Sequence, residues 1–322
     1  MTSEQIIAQP FDFTEANLHT KQRGLWSQAF FRLAKNRLAL IAGGLLLAIL
    51  ALSIVAEAVP AVRRYDYDET NYDAVDQDPG GAHFLGTDQL GRDMWSRILK
   101  GTLFSLKIGF GAEFVVVLLG ITLGMVAALA GRFTDTIVVW VTDLAYAFPD
   151  LLMIILFRQV LFGRDLPIIG TDDPQIPGFP GPMLVMILAI SFVSWVTVCR
   201  LVRGQMLSIK ESDYVLAAKS LGANPWRLVR VHMLPNTLSA VIVAITFGIP
   251  QRIFAEAALG FIGLSLPAPF ASLGTLVNDG YAKIYTNNLL VIWPCILIAM
   301  LMLCFTFLGD GLRDALDPRT RK

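Results

Sequence analysis

The chain has 322 residues, of which 55% are apolar and 16% are charged, and its mean hydropathy is +0.59. This composition excludes an ordinary soluble domain and predicts a protein that crosses the membrane several times. The 26 Lys and Arg residues balance the 26 Asp and Glu residues. The zero net charge argues against nucleic acid as a partner, because nucleic-acid-binding proteins concentrate basic residues on one face.

Six segments are apolar over the roughly 20 residues that a bilayer-spanning helix needs. They are residues 38–60, 102–130, 136–160, 183–203, 238–265 and 288–309. We therefore expect an all-α polytopic membrane protein with six transmembrane helices. The predicted divisions are an N-terminal segment (1–37), a transmembrane domain (38–309) and a C-terminal tail (310–322).

The orientation follows from Lys and Arg, which are retained on the cytoplasmic side during insertion. With the N-terminus inside, the inner segments hold most of the Lys and Arg residues that lie outside the spans. We expect a cell-membrane location with both termini and the loop 204–237 in the cytoplasm. The loops 61–101, 161–182 and 267–287 are then expected to face outward.

A basic, helix-forming stretch lies between Glu211 and Pro235, with an apolar span on each side. Gly222 is a natural helix terminator, and Asn224 followed by Pro225 supplies a cap and a proline at the first helical position. The sequence therefore predicts a bent pair of short helices that ends at Pro235.

The residues of this helix pair suit a protein partner. Ala217 and Ala218 would let another backbone approach closely, and Trp226 with its apolar neighbours forms a surface that water alone would not favour. The alternative is a passive connector on lipid headgroups, with Arg227 and Arg230 attracted to anionic lipid.

Within this stretch the residues resemble the EAA motif of permease subunits from ATP-binding-cassette importers. The resemblance rests on Ala217-Ala218, Gly222 and Leu234-Pro235, while Leu216 replaces the glutamate of the motif and His232 replaces its distal isoleucine. Four more segments are similar to the C-type permease of dipeptide and oligopeptide importers. They are HFLGTDQLGRDMWSRILKG (83–101), FPDLL (148–152), EAALGFIGLSL (256–266) and GDGLRDALDPR (309–319).

The resemblance implies the permease fold of type I ATP-binding-cassette importers and one half of a heterodimeric path. The implied partners are a homologous second permease, two ATPase subunits and an extracytoplasmic binding protein. The solute would be a dipeptide or oligopeptide, with nickel chelates or other small solutes as alternatives. The ATPase-coupling residues would be Tyr214, Ala217, Ala218, Gly222, Asn224, Pro225, Trp226, Arg227, Leu234 and Pro235.

Charged residues within apolar spans cost about 2.5–3.5 kcal/mol each near a helix centre and usually face a bundle interior or a water path. Asp143, Asp150, Arg252 and Glu256 are therefore candidates for lining a translocation path. Arg252 and Glu256 lie four residues apart on one helix face, where they could instead form a buried structural pair.

Polar residues nearer the span ends have structural interpretations. We expect Lys107 and Arg158 to extend toward the lipid headgroups. The stretch Leu85–Asp93 is typical of tight turns before a helix that begins near Asp93, and a structural corner is favoured there over contact with a substrate or partner.

The sequence contains no phosphate-binding loop of the Gly-x-x-x-x-Gly-Lys-Ser/Thr type, so we expect ATP and Mg²⁺ to bind only to partner subunits. Neither the cysteines nor the histidines have metal-site or hydrolase spacing, and we expect no cofactor and no enzymatic activity. The alternative function is a self-contained secondary transporter or channel, in which the intramembrane charges would bind a coupling ion. Such a transporter usually shows an internal repeat, and we detect none.

Overall fold

The computed structural model describes residues 25–162 and 178–316. Within these two ranges the chain is a bundle of helices, with an isolated antiparallel bridge between Thr87 and Asp93. The long helices are α2 (Arg37–Ala58), α4 (Met94–Leu129), α7 (Gly181–Lys210), α10 (Leu234–Phe261) and α12 (Leu289–Leu316). The shorter ones are α1 (Leu25–Leu33), α3 (Pro60–Arg63), α5 (Arg132–Tyr146), α6 (Asp150–Phe162), α8 (Asp213–Ser220), α9 (Pro225–Arg227) and α11 (Leu273–Tyr281).

The third predicted span, residues 136–160, is not one straight helix. α5 and α6 meet at an angle of 96°. Pro149 lies at this break, and a proline both lacks a backbone donor and moves the preceding residue out of helical geometry. The described part of the chain thus holds five helices able to cross a membrane, or six if the bent pair forms one span.

The other predicted spans correspond to the long helices, with shifted ends. α4 begins at Met94 rather than at residue 102, because the Asp93 carboxylate accepts a hydrogen bond from the Ser96 N–H at 2.9 Å and caps the helix. This confirms the helix start predicted near Asp93. α12 continues to Leu316, into the predicted C-terminal tail.

α1 and α11 lie where the sequence predicted no helix. α1 lies in the predicted N-terminal segment and packs on α12, and α11 lies in the predicted outer loop 267–287 and packs on α10 and α12. α11 begins with a capping box formed by Ser272 and Thr275. Both helices have nine residues, so the length criterion for a span does not detect them. Most of the outer loop 161–182 lies outside the described residues.

α4 is the central helix of the bundle, in contact with α2, α5, α7, α10 and α11. Its closest neighbour is α7, because Gly120 and Gly124 present bare backbone to that helix. A Cβ atom added to Gly120 would lie 2.6 Å from the Val198 side chain, and one added to Gly124 would lie 2.7 Å from the Cys199 carbonyl oxygen. Side chains at these two positions would separate the helices. Small residues commonly allow this close approach between membrane helices.

The corner predicted at residues 85–93 is a buried polar structure centred on Asp88. Its carboxylate accepts hydrogen bonds from two backbone N–H groups at 2.9 Å, from Arg92 Nε at 2.7 Å and from Arg97 Nη1. Arg97 also donates to Asp279 of α11 at 3.0 Å. The corner therefore fixes the start of α4 to α11, which supports the structural interpretation.

We predict that Asp88→Ala destabilises the protein strongly. The change would leave Arg92 and Arg97 buried without their main counter-charge, a loss that costs about 3–5 kcal/mol. Asp66→Ala is the matched control, because Asp66 pairs with Arg63 at the surface and is 55% exposed, where an ion pair contributes about 0–1 kcal/mol. Thermal unfolding of the purified protein in detergent measures the difference. Equal unfolding temperatures for the two variants would contradict the role of Asp88.

Candidate docking and translocation sites

The loop predicted to dock a partner forms the expected bent helix pair. α8 ends where Gly222 adopts a left-handed φ of 84°, and the N–H of Ala223 returns to the Ala218 carbonyl at 3.1 Å. The second helix starts with Asn224, whose side chain accepts from the Trp226 N–H at 3.0 Å. The predicted terminator and the predicted cap are thus confirmed.

The prediction that the helix pair ends at Pro235 is wrong. α9 continues through a π-helical segment (Leu228–Met233) into α10, so that residues 225–261 form one continuous helix of 37 residues. A proline ring clashes with the carbonyl four residues earlier in a regular α-helix. Here the wider π turn precedes Pro235, with the Leu234 N–H bonded to the Val229 carbonyl five residues earlier.

The continuous helix has a buried side and an exposed side at this end. Leu228, Val229 and Met233 are buried, and Val229 and Met233 pack in a cluster with side chains of α4 and α7. Trp226 points the other way and is 63% exposed. Among the predicted coupling residues, Ala218 and Leu234 are half-buried. The exposed ones are Tyr214, Ala217, Gly222, Asn224, Pro225, Trp226, Arg227 and Pro235.

α8 is fastened to the continuous helix. The Tyr214 hydroxyl accepts a hydrogen bond from the Asn236 side chain at 3.2 Å, and the Tyr214 ring lies 6.2 Å from the His232 ring. Val215, on the adjacent position of α8, is buried. A displacement of α8 would therefore displace the start of α10.

Two predicted path residues lie on the bent pair α5–α6 and are exposed. Asp143 pairs with Arg200 of α7 at 2.6 Å, and the guanidinium of Arg200 lies over the Tyr146 ring at 4.3 Å. Asp150 is in the first turn of α6, where a carboxylate interacts favourably with the helix dipole. These charges lie on the surface of the single chain, among exposed apolar side chains.

The predicted pairing of Arg252 with Glu256 is not formed. Arg252 Nε instead donates to Glu113 Oε2 of α4 at 3.3 Å. Gly248 makes room for this carboxylate, since a Cβ there would lie 2.4 Å from the Glu113 oxygens. Glu113 was not among the predicted path residues, although a lone carboxylate within the second apolar segment was the available signal.

Glu256 is fully buried and its partners are serine hydroxyls. Ser265 Oγ donates to one carboxyl oxygen at 2.6 Å, and Ser105 Oγ of α4 donates to the other at 2.8 Å. Whether Glu256 or Arg252 lines a path stays a prediction. In this structure Arg252 retains some exposed surface, and Glu256 has none.

The prediction that Arg158 extends to the headgroups is wrong. Its side chain is buried and Nη2 donates to the Ser265 carbonyl at 3.0 Å. The irregular segment after α10 leaves that carbonyl without a helical partner, and a buried carbonyl needs a donor. Lys107 Nζ donates to the Gly178 carbonyl at 3.1 Å.

Comparison with known proteins identifies the family. Residues 120–322 match the family described as binding-protein-dependent transport system inner membrane component, and residues 24–79 match the N-terminal TM domain of oligopeptide transport permease C. The chain belongs to this permease family. The match covers most of the bundle, including α10 and the loop 211–235.

Relatives of similar length support the assignment. The oligopeptide transport system permease protein OppC of Bacillus subtilis is 36% identical over 94% of this chain and 92% of its own. The dipeptide transport system permease protein DppC of the same organism is 37% identical over 91% and 86%. The glutathione transport system permease protein GsiD of Pectobacterium atrosepticum is 32% identical over 92% of both chains. The permease is thus a component of an ATP-binding-cassette importer, which disfavours the secondary-transporter alternative.

Solved structures show the same fold. A MetNI methionine ABC transporter in an inward-facing conformation matches with a TM-score of 0.51 and 19% identity, over 70% of this chain and 98% of the other. An amino acid ABC transporter matches with a TM-score of 0.52 and 18% identity, over 68% and 93%. The predicted type I importer permease fold is confirmed.

We predict that one face of α10 is accessible to water in the assembled protein. Single cysteines are introduced in a background without Cys199, Cys295 and Cys304. A membrane-impermeant thiol reagent should label the partly or fully exposed positions of this part of α10, which are Gln251, Arg252, Phe254, Ala255 and Ala258.

The buried positions Ile253 and Leu259 are the controls for this experiment and should stay unlabelled. Labelling confined to the loops would show that this face of α10 meets lipid or protein instead of water.

Proposed function

We propose that the permease is the transmembrane subunit of an ATP-driven, binding-protein-dependent importer of dipeptides or oligopeptides. The peptide substrate is supported by the oligopeptide and dipeptide transport systems to which the OppC and DppC relatives belong, since their chains align over most of this one. The observation that carries the coupling role is the exposed helix pair at residues 211–235, which continues directly into α10.

In the proposed mechanism, two ATPase subunits dock on this helix pair and bind ATP and Mg²⁺. Trp226 and the exposed face of α8 would be covered by the ATPases. Closure of the ATPases would push α8, and the Tyr214–Asn236 contact would pass the displacement to α10. Alternating access then follows from movement of α10 against the neighbouring half of the transporter. Both termini and the docking loop lie in the cytoplasm in this arrangement.

A second permease subunit would cover the bent pair α5–α6. This surface exposes large apolar side chains, among them Phe133, Trp140 and Leu152. It also exposes Asp143 and Asp150, and charges of this kind are costly against lipid. A homologous permease subunit and a water-filled path between the halves account for both properties.

Arg252 is the residue of α10 that we assign to the path. Glu113 neutralises its charge from inside the bundle, and the neighbouring Gln251 is exposed. A guanidinium with a free edge can bind the carboxylate terminus or the amide oxygens of a peptide. An extracytoplasmic binding protein would deliver that peptide to the outer face.

We predict that Gly222→Val uncouples ATP hydrolysis from transport. No atom lies within 4 Å of an added Cβ, so the effect comes from the left-handed backbone, which costs a β-branched residue about 1–2 kcal/mol or more. Gly44→Val is the control, because Gly44 is equally open but lies within helix α2. Peptide uptake and peptide-stimulated ATP hydrolysis by the reconstituted complex are measured. Normal values for Gly222→Val would refute the docking role.

We also predict that the subunit is inactive alone. Purified by itself, it should bind no ATP and transport no peptide in proteoliposomes. Co-expression with a homologous permease and two ATPases should yield a stoichiometric complex that takes up peptide when the binding protein and ATP are present. Uptake by the isolated chain under an ion gradient would instead support a secondary transporter.

A further inference from the structure

The outer end of α10 is attached to the rest of the bundle through Glu256. Its side chain has no exposed surface, and its two oxygens accept from Ser105 of α4 and Ser265 of the segment after α10. We call these three residues the Glu256 cluster. A carboxyl group is costly inside a bundle unless its oxygens are hydrogen-bonded, so the cluster favours one arrangement of the segments that supply the serines.

Ser105 extends the cluster to α11. The N–H of Leu273, the first residue of α11, donates to Ser105 Oγ at 3.1 Å, while the Ser105 hydroxyl donates to Glu256. N–H groups in the first turn of a helix have no partner within that helix. The chain of hydrogen bonds from Leu273 through Ser105 to Glu256 therefore joins α11, α4 and α10.

The backbones around the cluster are in direct contact. A Cβ added to Gly260 of α10 would lie 2.6 Å from the carbonyl carbon of Gly274 in α11, and one added to Gly101 of α4 would lie 3.2 Å from that of Ser272. Helices that approach so closely cannot slide past each other without separating first. The hydrogen bonds and the close packing thus restrict the same three helices.

We propose that Glu256 is a positioning residue that makes α11 and the outer part of α4 move together with the continuous helix (residues 225–261). This inference rests on the proposed function, in which the ATPases move the inner end of that helix. From Pro225 to Glu256 the helix extends about 47 Å at 1.5 Å per residue. Movement at the docking loop would therefore reach α11, whose C-terminal end exposes Tyr281.

The test uses a cross-link between α10 and α11. Phe261 and Tyr281 are exposed, and their rings lie 5.4 Å apart at the ends of these two helices. Both are replaced by cysteine in the background without native cysteines, within the assembled importer, and joined by a short bifunctional thiol reagent. If the helices move as one body, cross-linked and untreated complexes take up peptide at equal rates.

Glu256→Ala should lower uptake by about tenfold, a usual size for coupling between distant sites, and the cross-link should restore it. Glu256→Gln should retain most of the uptake, because its amide can still accept from one serine and donate to the other. Glu57→Ala is the matched control, since Glu57 pairs with Lys100 at an exposed position away from the cluster. Glu57→Ala should not change peptide uptake, and neither should cross-linking positions 261 and 281 in that variant.

Loss of uptake on cross-linking the chain with Glu256 intact would overturn the proposal, as would a Glu256→Ala defect that the cross-link leaves unchanged. If Glu256→Ala fails to assemble, Ser105→Ala and Ser265→Ala are compared in the same way, because each removes one hydrogen bond only.

Spin labels at positions 261 and 281 supply a readout that needs no transport. A constant distance with and without ATP supports the proposal, and a changed distance refutes it. Absence of uptake by the unmodified complex would count against the proposed function alone.

Discussion

Polar groups that lie within the apolar bundle must be satisfied by the protein itself, because the bilayer core holds no water to bind them. This constraint accounts for contacts that join the helices. Glu113 of α4 binds Arg252 of α10, and Arg158 of α6 binds the Ser265 carbonyl. At the predicted outer end, Asp88 binds two buried arginines that also reach α11. The arrangement of the helices around α4 thus depends on these polar contacts.

Much of the fold follows from local sequence, because apolar length and helix punctuation are properties of consecutive residues. The spans and the ends of α8 and α9 were predictable for this reason, as Gly222 and Asn224 act on their own backbone. The partners of the buried charges were not predictable. Arg252 and Glu256 share one helix face, yet their partners come from α4 and from the segment after α10, and only the packing of those elements decides between them.

The misassigned elements have a similar explanation. The apolar run 136–160 is long enough for a membrane span, but the helix breaks at Pro149 into α5 and α6. α11 is too short to be stable on its own and depends on glycine contacts with α10. Pro235 was expected to stop a helix, and the π segment before it allowed the helix to continue. For α11 the tertiary environment decides the fold, whereas Pro149 and the π segment act through the local backbone.

The π-helical segment has a geometric consequence for the proposed docking loop (residues 211–235). A π turn holds one residue more than an α turn, so it acts as a single-residue insertion in a helix that otherwise advances by about 100° per residue. The direction in which Trp226 and α8 face is therefore set relative to α10 by the number of residues between 228 and 233. Deleting one residue from this segment would rotate the proposed docking surface by about 100° around the helix axis. No residue of that surface would need to change.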